Sequence, residues 1–173
     1  MKQEFLYMSI LRSTSRISRP HYGNGTWFAG YTGGLLKSTD GGATWSETSI
    51  THSGTACRIQ GVTYSTGTGT WIAAGTIGTD VDNGTGIIVR STDGGNSWTT
   101  VKTGGIANGG FLSTATSNDG IWLVGGHDRE VYRSINDGIS WAGPISTIHD
   151  DTFDGQNSDY KVRSILFEPN KNV

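Results

Sequence analysis

The chain has 173 residues, 34% of them hydrophobic and 27 of them glycine, with a formal net charge of −2. Its one cysteine, Cys57, excludes an intramolecular disulfide and a cysteine metal cluster. No apolar run approaches the roughly 20 residues that span a bilayer, and the balanced charge gives no bulk pull toward nucleic acid or an anionic membrane.

Glycine in a helix interior costs roughly 1 kcal/mol relative to alanine, so this composition predicts a turn-rich, all-β protein. Six Trp, six Tyr and five Phe argue against disorder. Residues 1–18 hold one short apolar run with a single Lys and no small-residue cleavage site. They read as a terminal segment and candidate seam strand rather than a clear signal peptide, so the location is left unassigned, with the cytoplasm or a virion as the expectation. The first unit then runs from a tight turn at Gly23-Asn24-Gly25 through TWFAG (26–30) and LLKS (35–38). It enters the phrase STDGGATW, Ser38 to Trp45, and leaves as SETSI (46–50). The second unit places RIQGVTYS (58–65) before a turn at Gly67-Thr68-Gly69, then TWIAAG (70–75) and IIVRS (87–91). STDGGNSW, Ser91 to Trp98, and TTVK (99–102) complete it, with an insertion around Thr76 to Gly86. The third has FLSTATS (111–117), a turn at Asn118-Asp119-Gly120, IWLVGG (121–126), VYRS (131–134), SINDGISW from Ser134 to Trp141, and AGPIS (142–146).

The phrases begin 53 and 43 residues apart. Four short strands per unit of that length predict β-propeller blades. Residues 19–159 are read as three blades of four antiparallel strands, and 160–173 as the first strand of a further blade or a closing strand. Within each phrase, Asp40, Asp93 or Asn136 can accept hydrogen bonds from turn N–H groups that lack a ladder partner. Gly42, Gly95 and Gly138 permit positive φ, and Trp45, Trp98 and Trp141 can fold under the turn with the indole N–H on a carbonyl.

The pattern S-x-D-x-G-x-[ST]-W resembles the Asp-box, or BNR repeat, of sialidase-like β-propellers, over residues 20 to 145. Ser38, Asp40, Gly42 and Trp45 match, as do Ser91, Asp93, Gly95 and Trp98; the third copy keeps Ser134, Gly138 and Trp141 but has Asn136 at the Asp position. The resemblance implies that the boxes are structural fasteners away from the functional face. It also implies, for a sialidase, three arginines, a Tyr nucleophile with a Glu base, and an Asp acid. Eight arginines are present, but the family's [FY]-R-I-P opening is absent and Glu130 is the sole suitable base. A two-carboxylate glycosidase would need a pair such as Asp80 with Asp150. The expectation is therefore a non-catalytic binding or structural module, such as a phage virion component or a glycan-recognition protein. The alternatives are a sialidase-like or other glycoside hydrolase and an assembly-factor scaffold for a protein partner.

In an antiparallel blade, first-to-second and third-to-fourth turns share one face, and the longer, variable connections share the other. That second face is expected to bind. It collects Tyr31, His52, Asp80, Asp82, His127, Asp128, Arg129, His149, Asp151 and Tyr160, a set that suits sugar hydroxyls or a protein surface. No basic patch stands out along the sequence. DVDNG (80–84) lacks the Gly and the twelfth-position Glu of a calcium loop, and the acids of 150–159 follow no recognisable ligand order, so calcium is only an outside option and no metal or cofactor is assigned. A propeller needs about four to eight blades to close. Two copies would supply six, so self-association as a two-fold dimer is expected.

Overall fold

A computed structural model describes residues 16–80, 82–106, 109–146 and 161–166. Three antiparallel meanders follow one another along the chain. The first comprises β1 (His21–Gly23), β2 (Thr26–Tyr31), β3 (Gly34–Ser38) and β4 (Ser46–Ser49). The second comprises β5 (Thr51–His52), β6 (Thr55–Tyr64), β7 (Trp71–Ile77), β8 (Thr85–Ser91) and β9 (Thr99–Thr103), and the third β10 (Phe111–Thr116), β11 (Trp122–Gly126), β12 (Glu130–Ser134) and β13 (Ala142–Ser146). The protein is all-β, a partial propeller of three blades. The short β5, paired with the start of β6 through Thr51–Ala56 and His52–Thr55, is an addition to the expected four strands. Among the described residues no helix is long and apolar enough to cross a membrane.

Blade stacking follows from side-chain alternation along the strands. In β7, Trp71 and Ala73 face the first blade, where they meet Phe28 and Leu35; Ile72 and Ala74 face the third, with Phe111, Trp122, Val124 and Tyr132. In β8, Ile87 and Val89 join the first cluster and Ile88 the second. The middle blade is buried on both faces, which is why WIAA and IIV read as continuous apolar runs. Phe28 anchors the first seam, its ring edge-on to Trp71 (4.9 Å) and Trp98 (5.7 Å).

Glycines of the repeated turns seat these seams. Gly95, at φ +77, would place a Cβ 2.2 Å from Phe28 of the preceding blade, and Gly138, also at +77, would place one 2.5 Å from Ile72. Both the backbone angle and the close approach demand glycine.

Two further segments pack on the arc. Ser18 donates its N–H to the Gly30 carbonyl (2.8 Å), and the Gly30 N–H donates to Ser18 Oγ (2.7 Å). Residues 161–166 lie along β10 and β11, with the Val162 N–H donating to Gly126 O (2.8 Å) and Ser113 Oγ to Val162 O (2.9 Å).

Candidate functional site

The three repeated turns are closed hydrogen-bonded cages. In the first, Ser38 Oγ donates to Asp40 Oδ1 (2.8 Å) and accepts from the Gly42 N–H (2.9 Å). Asp40 also accepts from the Thr44 N–H (2.9 Å) and Thr44 Oγ1 (2.6 Å), and the Trp45 indole donates to Gly42 O (3.0 Å). Asp93 receives the Ser97 N–H and hydroxyl in the same way, with the Asn96 N–H in addition. In the third turn, Asn136 Oδ1 accepts from Ser134 Oγ (2.9 Å) and the Ser140 N–H (3.0 Å), while its amide donates to Ser140 Oγ (2.8 Å). The Trp141 indole donates to Gly138 O (3.1 Å). The Trp98 indole N–H has no partner; it is buried in the seam against Phe28 instead. The threonine bonds hold the Asp40 carboxyl down at about 2, and the serine bonds hold Asp93 lower still. Carboxylates so fully engaged with their own turn have little capacity left for a substrate.

Asp137 does something the repeat pattern conceals. It stands where the other turns have Gly41 and Gly94, at φ +57, and its carboxylate crosses the seam to the second blade. There it accepts from Thr68 Oγ1 (2.8 Å), Thr70 Oγ1 (2.5 Å) and Arg90 Nη2 (2.6 Å), and from the Trp122 indole of its own blade (3.2 Å). Arg90 Nε donates to the Asp137 carbonyl as well (2.7 Å). Lys37, at the place in β3 that Arg90 has in β8, similarly donates to Asn96 Oδ1 in the next turn (2.9 Å). Arg133, at the corresponding place in β12, is exposed. Because Thr68 and Thr70 flank a first-to-second turn, these contacts put both classes of tight turn at one end of the blades.

The longer connections meet at the other end. Asp82, from the β7–β8 loop, lies 2.9 Å from Lys161 Nζ and 3.7 Å from His127 Nε2. Asp128 and Arg129 form the tip of the β11–β12 turn, both at positive φ, and the Glu130 N–H closes it on His127 O (3.1 Å). Asp80 accepts from the N–H groups of Asp82 and Asn83 and from the Asn83 amide, bonds that hold its carboxyl below the ordinary value. Burial pushes the Glu130 carboxyl up, against the opposing hydrogen bond from Tyr132. Tyr31, expected on the accessible platform, is only 5% exposed; it packs with Ala29 and Leu36, and Gly33 closes over its ring. It is a core residue because the β2–β3 connection is too tight to project it. His52 sits in the β5–β6 hairpin. His149, Asp150, Asp151 and Tyr160 lie outside the described residues. Among the described residues no three His, Cys, Asp or Glu side chains converge as metal ligands.

The inner strands β6 and β10, with residues 16–22 and 161–166, line an open concave cavity of about 930 Å³. Among the described residues, Arg16, Arg19, Arg58, Lys161 and Arg163 line it, against the carboxylate of Asp82. Arg58 Nη1 donates to Thr79 O (3.5 Å), whereas Arg16, Arg19 and Arg163 are exposed. His21 lines the same wall, its ring edge-on to Trp71, and burial lowers its pKa and favours the neutral imidazole. In a chain of net charge −2, the described residues of this concave face are thus predominantly cationic. Sequence reasoning missed it because its cations come from three segments far apart in the chain.

No protein-family model matches the chain, and no curated protein matches its sequence. Solved structures do match. One, described as YCF48 bound to D1 peptide, superposes with a TM-score of 0.59 and 18% identity over 76% of this chain and 41% of that one. An ancestral GH74 enzyme superposes with a TM-score of 0.56 and 26% identity over 75% of this chain and 19% of that one. Both are β-propellers, and this chain spans less than half the length of either.

Proposed function

We propose that the protein is a non-catalytic propeller module of the Asp-box type whose cationic inner face binds acidic side chains of a protein or peptide partner. The observation that carries this reading is the convergence, among the described residues, of five cationic side chains on one cavity with one carboxylate among them. Guanidinium groups grip carboxylates through paired, charge-assisted hydrogen bonds, and a concave wall lets several act on one segment. The YCF48 neighbour, a propeller described with a bound peptide, supports a peptide ligand. A virion component and an assembly scaffold both fall under this reading, since each acts by holding a protein partner.

The test uses Arg19→Glu and Arg163→Glu, both at exposed positions. Anisotropy of a labelled hexaglutamate peptide at low ionic strength should show at least about tenfold weaker binding for each, with wild-type binding declining as salt rises. Affinity unchanged by either charge reversal would refute the reading.

The likeness to a GH74 enzyme favours a glycoside hydrolase as the second reading. Turnover of a fluorogenic sialoside or a β-glucan, abolished by Glu130→Gln or by changing Asp80 and Asp150 together, would establish it in place of the first.

A further inference from the structure

The cavity wall carries its own anion. Asp82 lies at the mouth, its side chain 60% exposed, with Oδ1 2.9 Å from the ammonium of Lys161, whose side chain is only 13% exposed. His127, buried beside them, brings Nε2 within 3.7 Å of the same oxygen. The β7–β8 loop is shaped for this contact. Asp80 accepts the Asp82 N–H (2.9 Å) and the Asn83 N–H (3.3 Å), a side-chain-closed turn that presents Asp82 to the third blade and to Lys161, 79 residues further along the chain.

A carboxylate resting on a mostly buried ammonium at the rim of a cationic cavity is chemically equivalent to the acidic side chain of a bound partner. We propose that Asp82 is an intramolecular competitor: in the free protein it occupies the Lys161 position, and an acidic ligand binds there by displacing it. This rests on the reading of the inner face as a site for acidic segments. Lys161, largely removed from water, favours a counter-charge beside it. Asp82 provides one that is easily exchanged, because an exposed carboxylate is weakly held and well screened. The arrangement also confers selectivity. A neutral or basic segment offers Lys161 no charge in return and leaves Asp82 in place, so the loop rejects partners that lack an acid.

The experiment compares hexaglutamate binding to the wild-type chain, Asp82→Asn, Asp82→Ser and Asp119→Asn by anisotropy at low ionic strength, with circular dichroism melts to confirm folding. Asp119→Asn removes the same charge from the exposed β10–β11 turn and measures the general electrostatic effect. Both Asp82 variants should bind about three- to tenfold tighter than wild type, and Asp119→Asn within about twofold of it. Asp82 variants that bind no tighter than Asp119→Asn, or more weakly than wild type, would overturn the competitor role. Wild-type binding that is still lost in Arg19→Glu would then leave the proposed function standing. Failure of every form to bind would overturn the reading of the inner face and this inference together.

Discussion

Replacing Asp137 by alanine tests how the second and third blades are fastened. The substitution strips four donors of their acceptor: Thr68, Thr70, Arg90 and Trp122. The Arg90 and Asp137 side chains are 20% and 22% exposed, so the pair lies between two limits. Breaking a fully buried pair costs about 3–5 kcal/mol, while an exposed one contributes about 0–1 kcal/mol. With two hydroxyls and an indole also left unpaired, a loss of about 2–4 kcal/mol is expected, or roughly 5–12 °C in Tm for a chain of this size. Asp137→Gly should cost about 1 kcal/mol less than Asp137→Ala, because glycine relieves the φ of +57 that alanine would retain.

The pH dependence has a defined sign. Burial raises the Asp137 carboxyl pKa, but the bonds from Thr70, Thr68, Arg90 and Trp122 outweigh it and the net shift is downward. A folded pKa below the unfolded one means the contribution is complete above about pH 4 and is lost as pH falls through the folded value. Urea denaturation from pH 7 to pH 3 should therefore show the gap between wild type and Asp137→Asn narrowing with acid. An Asp137→Ala protein within about 0.5 kcal/mol of wild type, or more stable than Asp137→Gly, would refute the account.

Asp93→Asn should be tolerated better than Asp93→Ala in thermal melts, because Asn136 performs the same acceptor role in the third turn. Since Asp40 and Asp93 both have depressed pKa values, the stability they confer is present above about pH 4 and fades toward pH 2, where acid-titrated circular dichroism should detect it. Gly95→Ala, pressed against Phe28, should lose about 2–4 kcal/mol by chemical denaturation, whereas Gly41→Ala, with a similar φ but open space, should lose about 1 kcal/mol. Two-fold self-association, proposed as the means of adding blades, predicts about twice the 18.4 kDa monomer mass in light scattering; a stable monomer would exclude it.

The sequence by itself determined what is held within a few residues. Ser38, Asp40, Gly42, Thr44 and Trp45 close their cage over contacts of two to four positions, so a short phrase carries its whole geometry, and its recurrence carries the blade count. The two-residue alternation that buries both faces of β7 was visible only as an apolar run, since neither partner blade can be named from within the strand. Contacts that cross a seam were invisible. Asp137 in place of a turn glycine looks locally like a minor departure, yet its partners lie 67 and 69 residues away in Thr70 and Thr68. The β2–β3 turn hid Tyr31 from solvent by its tightness, which residue type alone does not reveal. Arg16, Arg58 and Arg163 became one charged surface only when the inner strands came together, because an electrostatic field sums over distance in space and takes no account of distance along the chain.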